Sequence, residues 1–128
     1  MEILDNQEKI QILNTMLVNT KTGILTWSEN KDRTGRFDAG NSKFKYAIWD
    51  RDGDEFAPYD LYVWNAILES PIIAIEWDVS DELHADSKKI NDLLLELYAL
   101  VTAKARGLEN IYSDLLENMK DDDPFEPF

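Results

Sequence analysis

The apolar residues of this chain change their spacing twice, and this change limits the possible folds more than any other sequence feature. In residues 5–19 and 86–119 they recur every three or four positions, which is typical of amphipathic helices. In residues 24–77 short runs alternate apolar and polar side chains, which is typical of strands. This order predicts an α+β domain with an N-terminal helix, an antiparallel meander of about five strands, and two C-terminal helices packed on one sheet face.

The N-terminal helix is predicted over residues 5–19. Asp5 and Glu8 have the spacing of a capping box, in which each side chain accepts a hydrogen bond from the backbone N–H of the other residue. The segment Lys21-Thr22-Gly23 then ends the helix and turns the chain. The apolar face consists of Ile10, Leu13, Met16 and Leu17.

Five β-favouring runs follow, at residues 24–27, 36–39, 44–50, 59–64 and 71–77. The short spacings between them favour hairpins and therefore antiparallel pairing. The last run, IIAIEW after Pro71, is almost continuously apolar, which predicts that it is the most buried strand.

Two C-terminal helices complete the predicted domain, which spans residues 1–119 and leaves 120–128 as a tail. Asp86 or Ser87 is the expected cap of the first helix, and Gly107 is expected just beyond its end. Its apolar stripe consists of Ile90, Leu93, Leu94, Leu97, Leu100 and Val101, and that of the second helix of Leu108, Ile111, Leu115 and Met119.

The composition fits a soluble folded protein. Hydrophobic residues make up 44% of the 128 residues, and the absence of cysteine excludes disulfides and thiolate chemistry. The N-terminal segment lacks the continuous apolar core of a signal peptide, and no apolar run approaches the ~18 residues of a membrane helix. We therefore expect a cytoplasmic protein without membrane contact.

The net charge of −13 is concentrated in the middle of the chain. Residues 50–86 hold 11 acidic residues and one arginine. Such a block repels phosphate and attracts basic surfaces, so direct binding of nucleic acid is not expected. The alternative is that the acidity only keeps the protein soluble.

The densest acidic run, DRDGDEF, raises the question of a calcium site. Asp50, Asp52 and Asp54 match the first ligand positions of an EF-hand loop. However, Glu55 replaces the required glycine and Leu61 replaces the bidentate glutamate. We therefore predict a turn at Asp52-Gly53 whose carboxylates form surface charge, with no metal.

No catalytic constellation is apparent in the sequence. His84 is the single histidine, and neither a G-x-S-x-G motif nor a glycine-rich phosphate loop occurs. The carboxylate pairs of a glycosidase depend on spatial proximity, which the sequence does not show. We predict a non-enzymatic protein without a cofactor.

Two of the four tryptophans have an unusual position in the strand pattern. Trp49 and Trp64 fall on the opposite phase from the residues predicted to face the core, and they border the acidic run. Exposed aromatic side chains beside carboxylates are a typical protein-binding surface. The alternative is that both sheet faces are covered and that these tryptophans are core residues.

The tail KDDDPFEPF combines aspartates with two Pro-Phe pairs. It resembles the acidic tip of bacterial single-stranded-DNA-binding proteins, whose terminal phenylalanine enters an apolar pocket while the aspartates lie along a basic ridge. The resemblance implies a replication or recombination adaptor that docks through Phe125 and Phe128. The tail departs from that pattern in its second Pro-Phe pair and in Glu126. Alternatively, both phenylalanines fold back onto the last helix.

The segments TKTGILTW and LLLELYAL resemble parts of small acidic α+β proteins of bacteria, phages and mobile elements, which implies an accessory role. Our hypothesis is an inhibitor, of the immunity or anti-defence type, that blocks the basic nucleic-acid-binding surface of a partner, for example a nucleic-acid-processing enzyme. Its predicted partner contacts are Trp49, Asp50, Asp52, Asp54, Glu55, Asp60, Trp64, Asp78, Asp81, Glu82, Phe125 and Phe128. The alternatives are the adaptor and an enzyme that uses carboxylates or a metal.

Overall fold

The computed structural model describes residues 3–121, apart from the side chains of 109–112, 120 and 121. It confirms the α+β fold class predicted from the sequence. The elements are α1 (Asn6–Lys21), β1 (Ser28–Glu29), β2 (Arg36–Gly40), β3 (Phe44–Asp50), β4 (Tyr59–Asn65), β5 (Ser70–Glu76), α2 (Ala85–Ala105) and α3 (Leu108–Asp121).

Helix α1 begins with the predicted capping box. The backbone N–H of Glu8 donates to Asp5 Oδ1 at 2.8 Å, and the backbone N–H of Asp5 donates to Glu8 Oε1 at 3.1 Å. Leu13, Met16 and Leu17 are buried, as the helical spacing predicts. The helix ends at Lys21, and Gly23 follows with a φ of 82°.

The five strands form one antiparallel sheet in the order β1-β2-β3-β4-β5, so each strand pairs with its neighbour in the sequence. Ile48 in β3 pairs with Leu61 in β4, and Leu61 pairs with Ile75 in β5. All three side chains are fully buried and form part of the core layer. We call the face that carries them the inner face and the opposite face the outer face.

Two strand predictions are wrong. The first strand covers Ser28–Glu29 and not 24–27, because Trp27 is instead buried near α1, where its indole Nε1–H donates to Thr20 Oγ1 at 3.0 Å. The last strand is an edge strand with mostly half-buried or exposed residues, and not the most buried strand. Pro71 suits that position because proline cannot donate a ladder hydrogen bond.

Helix α2 covers part of the inner face and supplies much of the core. It contacts β1, β2 and β4, and it carries the fully buried residues Leu94, Leu97 and Val101. Its N-cap is His84, which makes no side-chain cap hydrogen bond, so the predicted caps Asp86 and Ser87 lie inside the helix.

The other two helices pack against α2. Gly107, with a φ of 67°, follows the C-cap residue Arg106 as predicted, and α3 begins one residue later. Within residues 3–121, no helix is long and apolar enough to cross a membrane.

Candidate partner-binding site

The sheet gathers its most acidic connections at one end. Asp50 pairs with Tyr59, and Asp60 pairs with Glu76, so the β3–β4 and β5–α2 connections leave the sheet side by side. The β1–β2 turn lies at the same end because Arg36 pairs with Trp49. We call residues 50–58 and 76–84 the acidic end.

The predicted turn in DRDGDEF is present, and it is built around a buried carboxylate. The backbone N–H of Gly53 donates to the Asp50 carbonyl at 3.3 Å, which closes the turn. The Asp50 side chain is 0% exposed, and its Oδ2 accepts the backbone N–H of Glu55 at 2.5 Å. Arg33 Nη2 lies 3.2 Å from Oδ1 and also donates to the Asp50 carbonyl. The expectation that Asp50 contributes surface charge is therefore wrong.

Gly35 allows this carboxylate to approach the β1–β2 turn. It has a φ of 87°, and a Cβ at this position would lie 2.8 Å from Asp50 Oδ2. The Tyr98 hydroxyl donates to the carbonyl of Gly35 at 2.8 Å, which connects the turn to α2. Burial among these groups raises the pKa of Tyr98 above its usual range.

Asp60 is also buried, at 5% exposure, because Arg51 covers it. The guanidinium donates to both carboxylate oxygens, at 2.7 and 2.9 Å, and this pairing raises the pKa of Arg51. Arg51 Nη2 also donates to the Trp77 carbonyl at 2.9 Å, and the backbone N–H of Trp77 donates to Asp60 Oδ1 at 3.1 Å. Asp60 therefore stabilises the acidic end from within, and only 7% of its side chain is left exposed for the predicted partner contact.

Glu55 and Glu29 of β1 both pair with the guanidinium of Arg106. Arg106 Nη2 lies 2.5 Å from Glu55 Oε1 and 2.7 Å from Glu29 Oε2. The hydrogen bond from Arg106 lowers the pKa of Glu29, and the N–H of Gly35 lowers it further. The Glu55 side chain stays 42% exposed, so a partner has access to a carboxylate whose charge is already partly neutralised.

Most of the remaining acidic side chains of this end face solvent. Asp52, Asp54, Asp81 and Glu82 are exposed, and none of them forms an ion pair with any residue in the described part of the chain. Asp78 is half-buried, and the Ser80 hydroxyl, at 2.6 Å, lowers its pKa, so this carboxyl is ionised at neutral pH. The arginines thus neutralise the buried Asp50 and Asp60 and part of the Glu55 charge, and they leave the other exposed acids negative.

Aromatic side chains form a compact cluster on the outer face. The ring centroids of Trp49 and Tyr62 are 4.9 Å apart, and those of Tyr62 and Trp64 are 5.8 Å apart. The Arg36 guanidinium lies 5.8 Å from the Trp49 ring and 5.7 Å from the Trp64 ring. We call Arg36, Trp49, Tyr62 and Trp64 the aromatic cluster. All four side chains are half-buried, and Ala47, on the same face, is fully buried.

The cluster lies beside the acidic end. Trp49 directly precedes Asp50 in β3 and pairs with Asp60, while the Tyr62 hydroxyl donates to Glu76 Oε1 at 3.2 Å. Arg36 is held in place by Asp38, whose Oδ1 accepts from its Nε at 3.0 Å. An aromatic surface whose side chains contact one another therefore adjoins a negative one.

The geometry does not favour a cation site at DRDGDEF. Both carboxylate oxygens of Asp50 already have partners, Arg33 and the Glu55 N–H. Among the side chains that the structure describes, no three acidic or histidine residues come together as metal ligands. His84 is exposed at the start of α2, as expected for a connecting residue.

Several of these residues had no signal in the sequence. Tyr62 shares the strand phase of Trp64 and could have been included on that ground. Arg33, Arg36 and Arg106 gave no such signal. Asp50, the two tryptophan rings and the two glutamates that they contact lie on other elements. The predicted tail contacts Phe125 and Phe128 lie outside the described residues.

Comparisons with protein-family models, with curated proteins and with solved structures find no match to this chain, so its function has to be inferred from its own geometry.

Proposed function

We propose that this protein is a non-enzymatic binding module that covers a basic surface of a partner protein with its acidic end and aromatic cluster. The basic surface is the nucleic-acid-binding site of the partner, so that the carboxylates compete with phosphate and inhibit it. The observation that carries the proposal is the juxtaposition of unpaired carboxylates with a preorganised Trp-Tyr-Arg cluster.

The composition of the cluster supports the proposal. Tryptophan, tyrosine and arginine are the residues most enriched at the energetic centres of protein interfaces. Trp49 and Trp64 are held by Tyr62 and Arg36, so few side-chain rotamers have to be fixed on binding. Low ordering cost favours affinity.

The charge distribution supports the choice of partner. The arginines of this end are engaged by Asp50, Asp60, Glu29 and Glu55, so they do not neutralise the other exposed acids. Exposed charge of one sign steers an oppositely charged protein and raises its association rate by a factor of about 10 to 1,000 at low ionic strength.

The first prediction concerns charge reversal. The variant Asp52→Lys/Asp81→Lys is expected to associate with its partner at least about tenfold more slowly at low salt, and the salt dependence of the rate is expected to shrink. Partners are first captured on tagged protein from a lysate of the native host and identified by mass spectrometry. Association is then measured by surface plasmon resonance, and inhibition by competition with nucleic acid for the captured partner.

The matched control is Asp92→Lys/Asp114→Lys, which changes the net charge equally at exposed helix positions outside the acidic end. It is expected to keep most of the association rate. Equal slowing by both variants would contradict a specific role of the acidic end, because net charge alone would then explain the rate.

A truncation that lacks residues 125–128 tests the alternative function as an adaptor. Loss of partner capture by this variant, without loss of capture by the charge-reversal variant, would favour docking through the tail.

A further inference from the structure

Helix α3 has an apolar stripe that the rest of the described chain leaves largely exposed. Leu108, Leu115, Leu116 and Met119 are 46%, 57%, 41% and 64% exposed. Their positions, i, i+7, i+8 and i+11, place them along one side of the helix. A helix of this kind is the usual ligand of an apolar groove on a protein surface.

The same chain has such a groove. It runs between α1 and the inner face, with a volume of about 510 Å³. It forms because α1 packs against α2, which leaves the part of the inner face beside α1 uncovered. No charged residue lines it, although the chain as a whole is strongly charged; the lining includes Ile12, Met16, Leu25, Phe44, Ile72 and Ile73.

We propose that α3 of one copy of this chain lies in the α1 groove of a second copy, and that the reverse contact makes the dimer two-fold symmetric. Covering the four exposed α3 residues and the groove that receives them removes on the order of 600 Å² from water. The symmetric exchange doubles both contributions, to about 1,200 Å² in total, which is the lower limit for a stable interface.

The net charge of the chain determines how the stability of this dimer depends on salt. Two copies with a net charge of −13 repel each other, while the groove itself places no like charges against α3. The dimer therefore strengthens when salt screens the repulsion. Binding to a basic partner through the acidic end weakens under the same conditions, so the two associations are distinguishable by the sign of their salt dependence.

Sedimentation equilibrium of the full chain tests the proposal. A concentration-dependent dimer that becomes at least about tenfold tighter from low to high salt is expected. Leu115→Gln/Met119→Gln removes two exposed anchors, and Thr15→Arg places a long charged side chain on the exposed groove wall. Either variant is expected to shift the equilibrium to monomer, while Ile67→Gln, at an exposed turn between β4 and β5, leaves it unchanged.

Because the chain has no cysteine, a disulfide test gives an independent readout. One tagged copy carries Thr15→Cys, and a copy with a different tag carries Leu115→Cys. This pair is expected to form more disulfide cross-link under oxidation than a pair in which Ile67→Cys replaces Thr15→Cys. A chain that stays monomeric at both salt concentrations overturns the proposal. A dimer that persists in both the α3 and the groove variant overturns it as well, because another surface then holds the copies together.

Discussion

Asp50 is the residue on which the acidic end depends most directly. One of its carboxylate oxygens faces Arg33 from the β1–β2 turn, and the other accepts the N–H of Glu55 within its own connection. A buried carboxylate with a cation and a hydrogen bond is tolerated, whereas removal of one partner leaves the others desolvated without compensation. The same residue type thus has different roles within four positions, because Asp52 and Asp54 point into solvent.

At the scale of the residue, we predict that Asp50→Ala lowers the free energy of unfolding by about 2–4 kcal/mol, since Arg33 and the Glu55 N–H lose their partner. Urea denaturation followed by circular dichroism measures the change. Asp52→Ala, in the same connection, is expected to change stability by less than about 0.5 kcal/mol. Equal losses in the two variants would contradict the structural role of Asp50.

Among the elements, β1 is unusual because it is only two residues long yet holds one edge of the sheet. Glu29 compensates for the short ladder. It accepts the Gly35 N–H at 3.0 Å across the turn, and it pairs with Arg106 at the end of α2. Strand and helix are therefore joined by a charge-assisted contact between residues that are 77 positions apart in the sequence.

At the scale of the element, this contact makes stability depend on pH. The folded-state pKa of Glu29 is lowered from 4.5, so its contribution is complete above that pH and is lost as the pH falls through the folded-state value. Glu29→Gln is expected to cost about 1 kcal/mol at neutral pH, discounted for partial exposure. Urea denaturation of both proteins is expected to converge in acid, and a difference that is independent of pH would exclude this cause.

The elements also show how far the sequence determines the fold. Alternation identified β2, β3 and β4 nearly to the residue, because one face of each strand is buried. It could not place β5 at an edge, since pairing order and not hydrophobicity decides which strand lacks a neighbour. Residues 24–27 have strand propensity, but the tertiary hydrogen bond of Trp27 to Thr20 keeps them out of the sheet.

The sequence also predicts some features of the candidate site and not others. The acidic run and the strand phase of Trp49 and Trp64 are local properties, so the sequence reveals them. The burial of Asp50 and Asp60 is not local, because it depends on where Arg33 and Arg51 fold. Tertiary contacts therefore determine which acidic residues are buried and stabilise the connections, and which stay exposed and accessible to a partner.

The whole molecule carries far more negative than positive charge. Its ion pairs at the acidic end are short and partly buried, so salt screens them weakly, while the repulsion among exposed carboxylates is long-ranged and strongly screened. Self-repulsion of this kind opposes the compact state.

At the scale of the molecule, we predict that the melting temperature rises by several degrees between about 10 mM and 300 mM NaCl, as the Debye length falls from ~30 Å to below ~10 Å. Calorimetry at a low protein concentration, where the chain is monomeric, measures this. Near the sequence pI of 4.3 the rise is expected to shrink, because the net charge approaches zero. A melting temperature that falls with salt at neutral pH would show that ion pairs outweigh repulsion.

The placement of the tryptophans gives the protein two built-in optical reporters. Trp27 is 5% exposed beside α1, while Trp49 and Trp64 are half-buried on the outer face next to Arg36. Global unfolding exposes all four tryptophans, whereas a protein that covers the outer face and the acidic end shields Trp49 and Trp64, together with the half-buried Trp77 of the acidic end, and leaves Trp27 unaffected. Intrinsic fluorescence with a soluble quencher can therefore separate occupancy of that face from changes in the core, without any attached label.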